Sequence, residues 1–163
     1  MTVTLDDKDR ILLNQLQEDA RMTSAELGKL VNLSPSGVQK RMHKLEDNGL
    51  IKKYTAVIDR KNLGFDLLVF VQVTLQGHTP QSVADFDEAI QTIPEVLECH
   101  RVTGIADYLL KVVVRNHEHL DNLLMTRLLA MPSVERVNSN LVLKEVKETA
   151  NISLIVGRGQ SNE

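Results

Sequence analysis

Apolar positions recur in two rhythms along the chain, a helical one in the first third and an alternating one after it. Ile11, Leu12 and Leu16 fall on one face of a helix, with Asp6 as its N-cap and Asp9 near its positive end. Arg21–Met22 break that rhythm. Thr23-Ser24-Ala25-Glu26 then has the form of a capping box, in which Thr23 and Glu26 each satisfy a free backbone N–H. Leu27, Leu30 and Val31 form the inward face of this second helix. Asn32-Leu33-Ser34 is a short turn whose apolar Leu33 plugs the corner between helices. Ser34 is an N-cap, and Pro35 suits the first helical position because its missing N–H is not needed there. The third helix runs from Pro35 to about Asn48, with Val38, Met42 and Leu45 facing the core and Gly49 as its left-handed stop. Two helices joined by such a turn make a helix-turn-helix. Leu50 to Ile58 alternates as a short β-hairpin, or wing, and the polar residues 59–65 read as a linker.

From residue 66 the rhythm changes. Leu67–Leu75 is rich in β-branched residues and predicts a strand that ends before Gly77. Thr79-Pro80 opens a helix whose Val83, Phe86, Ile90 and Ile93 share a face, and Pro94 stops it. Val96–Val102 is a second strand, Gly104 turns the chain, and Tyr108–Val114 is a third. Asn116 caps a second helix carrying Leu120, Leu123, Leu124, Leu128 and Met131. Pro132 ends it, and a fourth strand covers Val134–Val146. Ile93-Pro94-Glu95-Val96 and Met131-Pro132-Ser133-Val134 repeat one apolar-Pro-x-Val pattern, each closing a helix and opening a strand. The order β-α-β-β-α-β is ferredoxin-like. The fold class is therefore α+β: residues 1–58 a winged helix-turn-helix, 59–65 a linker, 66–150 the ferredoxin-like domain, and 151–163 a loose tail. Two helices cover only one face of a four-stranded sheet. Val69, Val71 and Val73 point one way while Leu68 and Phe70 point the other, so both faces carry apolar side chains. A second copy of the same face is the simplest cover, which predicts a homodimer.

Composition narrows the classes. The single cysteine, Cys99, excludes an intrachain disulfide and a multi-cysteine zinc site. No basic stretch leads into an apolar one at the N-terminus, and no apolar run reaches the ~20 residues needed to span a bilayer. The cytoplasm is the expected location, with no membrane association. Net charge is −3 over 163 residues, yet it is unevenly spread. Residues 1–64 hold 11 Lys+Arg against 9 Asp+Glu, and residues 65–163 hold 8 against 13. A locally basic module on an acidic chain points to nucleic acid.

The third helix carries that charge in a suggestive arrangement. Outside its apolar stripe it offers Ser34, Ser36, Gln39, Lys40, Arg41 and Lys44. Small hydroxyl residues let a helix N-terminus approach closely, Gln can pair with adenine, and Arg or Lys with guanine or phosphate. The N-terminal part of the second helix of a helix-turn-helix is the part that enters the major groove. Lys52 and Lys53 of the wing would rest on phosphates and add sequence-independent affinity. The candidate DNA-binding set is therefore Ser34, Ser36, Gln39, Lys40, Arg41, Lys44, Lys52 and Lys53, and a dimer would present it twice to double-stranded DNA.

Taken together these motifs resemble the Lrp/AsnC family of regulators. Leu5-Asp6-Asp7-Lys8-Asp9-Arg10-Ile11-Leu12 looks like its first helix, and Leu33-Ser34-Pro35-Ser36 with Val38, Arg41 and Leu45-Glu46 like its recognition segment. Gly49-Leu50-Ile51 and Tyr54-Thr55-Ala56 look like its wing. Glu98-Cys99-His100, Thr103-Gly104 and Asp107-Tyr108-Leu109-Leu110 look like its effector domain. The likeness runs from about residue 5 to about 150. It implies a sequence-specific, nucleoid-associated transcription regulator whose dimers assemble into an octamer or another even oligomer and respond to an amino acid. It also implies an effector site at Thr103, Gly104, Ile105, Ala106 and Asp107, completed by Ser139 and Asn140 of a neighbouring subunit. A Gly-containing turn can offer backbone N–H groups to a carboxylate. Asp107 either faces the ammonium group or caps the turn. An architectural DNA-binding protein of the same fold with no effector is the alternative, since Ile105 stands where many members carry an acid.

Other reactive residues form no constellation. His117 and His119 lie two apart on a helix and do not share a face for a metal. Cys99 and His100 point to opposite faces of a strand, a poor nucleophile–base pair, and Cys99 reads as a small core residue. His43 and His78 read as surface residues. No catalytic set, cofactor or metal site is expected, and so no enzyme.

Overall fold

The computed structural model describes residues 4–77 and 79–155, so the expectation for His78 lies outside the described residues. Two compact units emerge, one holding the chain up to Val57 together with Lys147 onward, the other Ile58–Val146.

The first unit is three helices, α1 (Asp7–Glu18), α2 (Ser24–Val31) and α3 (Pro35–Asp47). Both α1 and α2 begin with capping boxes, Asp6 with Asp9 and Thr23 with Glu26, while Ser34 caps α3 with Pro35 behind it. Backbone bonding to Thr23 holds the Glu26 carboxyl below its ordinary value. Leu12, Leu27, Val31 and Val38 close the core of this unit, and Leu33 packs against it from the turn.

No wing forms among the described residues. Residues 52–58 form neither helix nor strand. The stretch contains no Gly, Asn, Asp or Pro to reverse it, so alternation alone gives a segment with no strand partner. Tyr54 ties that segment to α3 by donating to Glu46 Oε1 at 2.8 Å. Burial, followed by that bond, pushes its phenol up to about 12.

The second unit is an antiparallel sheet of β1 (Leu67–Leu75), β2 (Val96–Arg101), β3 (Tyr108–Val114) and β4 (Val134–Leu141), in spatial order β2-β3-β1-β4. Two helices, α4 (Pro80–Ile90) and α5 (His117–Asn122), complete it. Val69, Val71, Val73 and Leu75 of β1 and Tyr108, Leu110, Val112 and Val114 of β3 are buried together with Phe86 and Ile90 of α4. The Phe86 and Tyr108 rings meet at 4.5 Å. Cys99 packs against this core, and burial raises its thiol. Beyond α5 the expected single helix continues as a π-helical turn, Leu123–Leu128, closed by Leu129 N–H on the Leu124 carbonyl at 2.8 Å. The wider turn brings Leu123 and Leu128, five residues apart, into the same core.

Three boundaries differ from expectation. The strand after Pro132 ends at Leu141 rather than Val146. Residues 59–65 are not a free linker: they contain a 3-10 turn, Lys61–Leu63, and Arg60 donates to the carbonyls of Phe65 at 2.7 Å and Asp66 at 3.0 Å and pairs with Glu145. The expected loose tail is docked over residues 151–154, where Asn14, Gln17 and Glu18 of α1 hold it. For the linker and the tail, long-range partners absent from local sequence take part: Glu145 in one and α1 in the other.

Candidate nucleic-acid interface and effector turn

The helix-turn-helix is set by a close backbone approach. Asn32 leaves α2 in the left-handed region at φ 52°, and Leu33 N–H then reaches back to the Gly28 carbonyl at 3.0 Å. A Cβ on Gly28 would stand 2.6 Å from the Leu33 carbonyl oxygen, so only glycine lets the turn lie against α2. This residue, overlooked in the sequence reading, carried a signal: a glycine inside a helical pattern often marks close packing.

Val38 and Leu45 anchor α3 inward. Ser36, Gln39, Lys40 and Lys44 are exposed on the remaining surface, and Lys52 and Lys53 are exposed on the segment that follows. Ser34 is exposed too, but its hydroxyl already accepts from Gly37 N–H at 3.2 Å and lies 3.1 Å from Ser36 Oγ, so it serves first as the cap.

Arg41 requires a correction. Its Nη1 donates to Asp6 Oδ2 and to Asp9 Oδ1, both at 2.7 Å. Nη1 of the guanidinium therefore ties α3 to the start of α1. Asp9 is 6% exposed, and Arg41 is the cation that compensates it. Bonding to the Asp9 backbone N–H, with Arg41 adding to it, holds the Asp6 carboxyl below its ordinary value, and the two carboxylates raise Arg41.

In the second unit the effector candidates separate. Gly104 sits at φ 121° in the β2–β3 turn, with Thr103 exposed and Ile105 83% exposed beside it, while Ala106 is buried. Asp107 is built into the sheet: its N–H donates to the Val73 carbonyl at 3.0 Å, its carboxylate accepts from Leu75 N–H at 2.8 Å, and its carbonyl accepts from Val102 N–H at 2.9 Å. Of the two roles open to it, the turn cap is the one the geometry fills. Ser139 pairs with Val71 and Asn140 with Phe70, so the two point to opposite faces of β4. One chain does not gather these residues into a single pocket.

A separate cavity of about 430 Å³ opens between residues 58–65 and the sheet, walled by Ile58, Leu63, Phe65, Leu97 and Val113. At its rim Arg115 lies 5.0 Å over the Phe65 ring, and His119 pairs with Glu95 at 3.0 Å. His117 and His43 are exposed, and no group of three metal-ligating side chains occurs among the described residues. Nor, among those residues, is any helix long and apolar enough to cross a membrane.

Comparison with known proteins agrees with this architecture. The family model of the AsnC-type helix-turn-helix domain matches residues 5–46, and that of the Lrp/AsnC ligand binding domain matches residues 68–152. A leucine-responsive regulatory protein of Escherichia coli is 41% identical over 145 residues, covering 89% of this chain and 88% of its own. A transcriptional regulator from Neisseria meningitidis, solved as a complex with L-methionine, is 34% identical with a TM-score of 0.88, covering 91% of this chain and 96% of its own. An AsnC family regulator from Agrobacterium tumefaciens is 30% identical with a TM-score of 0.85, covering 91% and 96%.

Proposed function

Because this chain belongs to the Lrp/AsnC family of transcription regulators, we propose that it reads duplex DNA through the exposed side of α3 and adjusts that reading to an amino acid held at the β2–β3 turn. The carrying observation is the split character of α3: Val38 and Leu45 are locked inward, Arg41 is committed to α1, and Ser36, Gln39, Lys40 and Lys44 are left facing solvent. Gln39 is suited to a base edge. Lys40, Lys44, Lys52 and Lys53 are suited to phosphates or guanine. The protein would act at the nucleoid in the cytoplasm, as a regulator rather than an enzyme.

Titration of a labelled operator fragment over a range of salt tests the reader. Lys40→Ala and Lys44→Ala should each weaken binding about five-fold and flatten the salt slope by roughly one ion, the mark of a lost phosphate contact. Unchanged affinity and slope in both variants would remove α3 from the interface.

For the effector, the backbone of the exposed Thr103–Ile105 turn would suit a carboxylate, and the bare Ile105 side chain suits an aliphatic ligand. Ser139 or Asn140 would come from another subunit, since one chain holds them away from the turn. A second copy would cover the open sheet face, where Phe70 is exposed beside Leu68 and Val113, and dimers would assemble to an octamer. A thermal-shift screen with the twenty amino acids should single out aliphatic ones, and Ile105→Ala should shrink the shift by removing the apolar contact. No shift with any amino acid would favour the effector-free architectural reading.

A further inference from the structure

The outward side of α1 carries an arrangement that the DNA-reading and effector roles leave unused. Asn14 Nδ2 donates to the Leu154 carbonyl at 2.8 Å, and Leu154 N–H returns a bond to Asn14 Oδ1 at 3.0 Å. One turn further along, Gln17 Nε2 donates to the Ile152 carbonyl at 3.0 Å and Ile152 N–H donates to Gln17 Oε1 at 2.7 Å. Asn151 Nδ2 adds a bond to Glu18 Oε1 at 2.9 Å.

Each carboxamide here engages one N–H and its carbonyl oxygen, the same pair of groups that a peptide unit presents. Spaced three apart on a helix, Asn14 and Gln17 lie on one face, about 4.5 Å apart along the axis. Alternate residues of an extended chain recur every 6.5–7 Å or so, a match that side-chain reach completes. The strip therefore reads main chain rather than side chains, as the edge of a sheet does.

We propose that this strip of α1 is a docking surface for an extended polypeptide, that its occupant is the chain's own segment 151–155, and that docking restrains the DNA-reading unit at a second point. The polypeptide leaves that unit after Val57 and re-enters it at Lys147. With the strap seated, two covalent crossings limit how the reader can turn. Binding to two half-sites in one duplex then costs less orientational freedom, while binding to one half-site gains nothing. The inference rests on the DNA-reading proposal, but its first measurement does not.

Hydrogen exchange on the full-length protein should show slowed amides at Ile152 and Leu154. Ser153 and Ile155, whose N–H groups have no partner among the described residues, should exchange freely. Asn14→Ala with Gln17→Ala should erase that alternation, and alanine suits a helix interior. The same variant, and a chain ended after Glu148, should bind a two-half-site fragment about ten-fold more weakly while keeping single half-site affinity within about two-fold. Absence of alternation in the unaltered protein, or its survival in the double variant, would refute the docking. Protection that fades on dilution would assign the strip to a second copy and refute the cis occupant. Lost protection with unchanged two-site affinity would refute the restraint, and loss of DNA binding at every site with the strap intact would count against the reader instead.

Discussion

Arg41→Ala should lower the stability of the helix-turn-helix unit by about 2 kcal/mol while leaving the salt slope of DNA binding unaltered. Removing one partner of a buried ion pair costs about 3–5 kcal/mol because the other charge is stranded, and partial exposure reduces that figure. Here Arg41 is 30% exposed, Asp6 more so, and Asp9 9% by its side chain. The stranded group is Asp9, which keeps only a 3.3 Å bond from the Asp6 N–H among its other contacts. Arg41→Lys should fall between, because an ammonium is a point charge without the guanidinium's planar fork. Urea melts read the stability, and titrations at several salt concentrations read the slope. A normal melt with a slope reduced by one ion would return Arg41 to the phosphate contacts and undo its assignment to α1.

Gly28→Val should cost more, about 3 kcal/mol, at the upper end of overpacking penalties. The atom in the way is the Leu33 carbonyl oxygen, 2.6 Å from the position of the new Cβ, and it belongs to backbone that cannot rotate aside. Val38 Cγ2, at 3.6 Å, closes another direction. Relief requires the turn to lift off α2, which carries the start of α3 with it. Gly37→Ala is the control. Its nearest atom is the Ser34 hydroxyl at 3.3 Å, a side-chain atom rather than backbone and 0.7 Å further off than the one facing Gly28. That variant should melt within about 0.5 kcal/mol of the unaltered protein, and the helical gain of alanine over glycine works in its favour. Equal melts for the two variants would mean that the turn does not depend on the close approach.

How much of this was legible beforehand follows from the range of the forces involved. Asp6, Thr23, Ser34, Pro80 and Asn116 act within one helical turn, so each helix start could be read directly. Pro94 and Pro132 marked the helix-to-strand joints for the same reason. The alternation of β1 and β3 revealed both sheet faces. Arg41 was misread because its partners lie more than thirty residues earlier, and a solvent-facing arginine in a recognition helix looks the same whether it meets a phosphate or a carboxylate. Asn14 and Gln17 carried no local signal because what they bind lies more than 130 residues later. The wing failed for a related reason: alternation predicts an extended backbone but not a neighbour for it. Among the effector candidates, local sequence placed the Gly104 turn. It did not show that Asp107 is engaged by β1 or that Ser139 and Asn140 diverge, because both facts depend on strand register.

The bonds between Asp107 and β1 bear on how a message could leave the turn. Val73 and Leu75, which receive Asp107, belong to a strand flanked by β3 on one side and β4 on the other. A molecule pulling on the Gly104 loop would thus tug the spine of the sheet rather than stir a loose flap. Any signal would travel as a small tilt of a stiff plate, felt along both neighbouring strands at once.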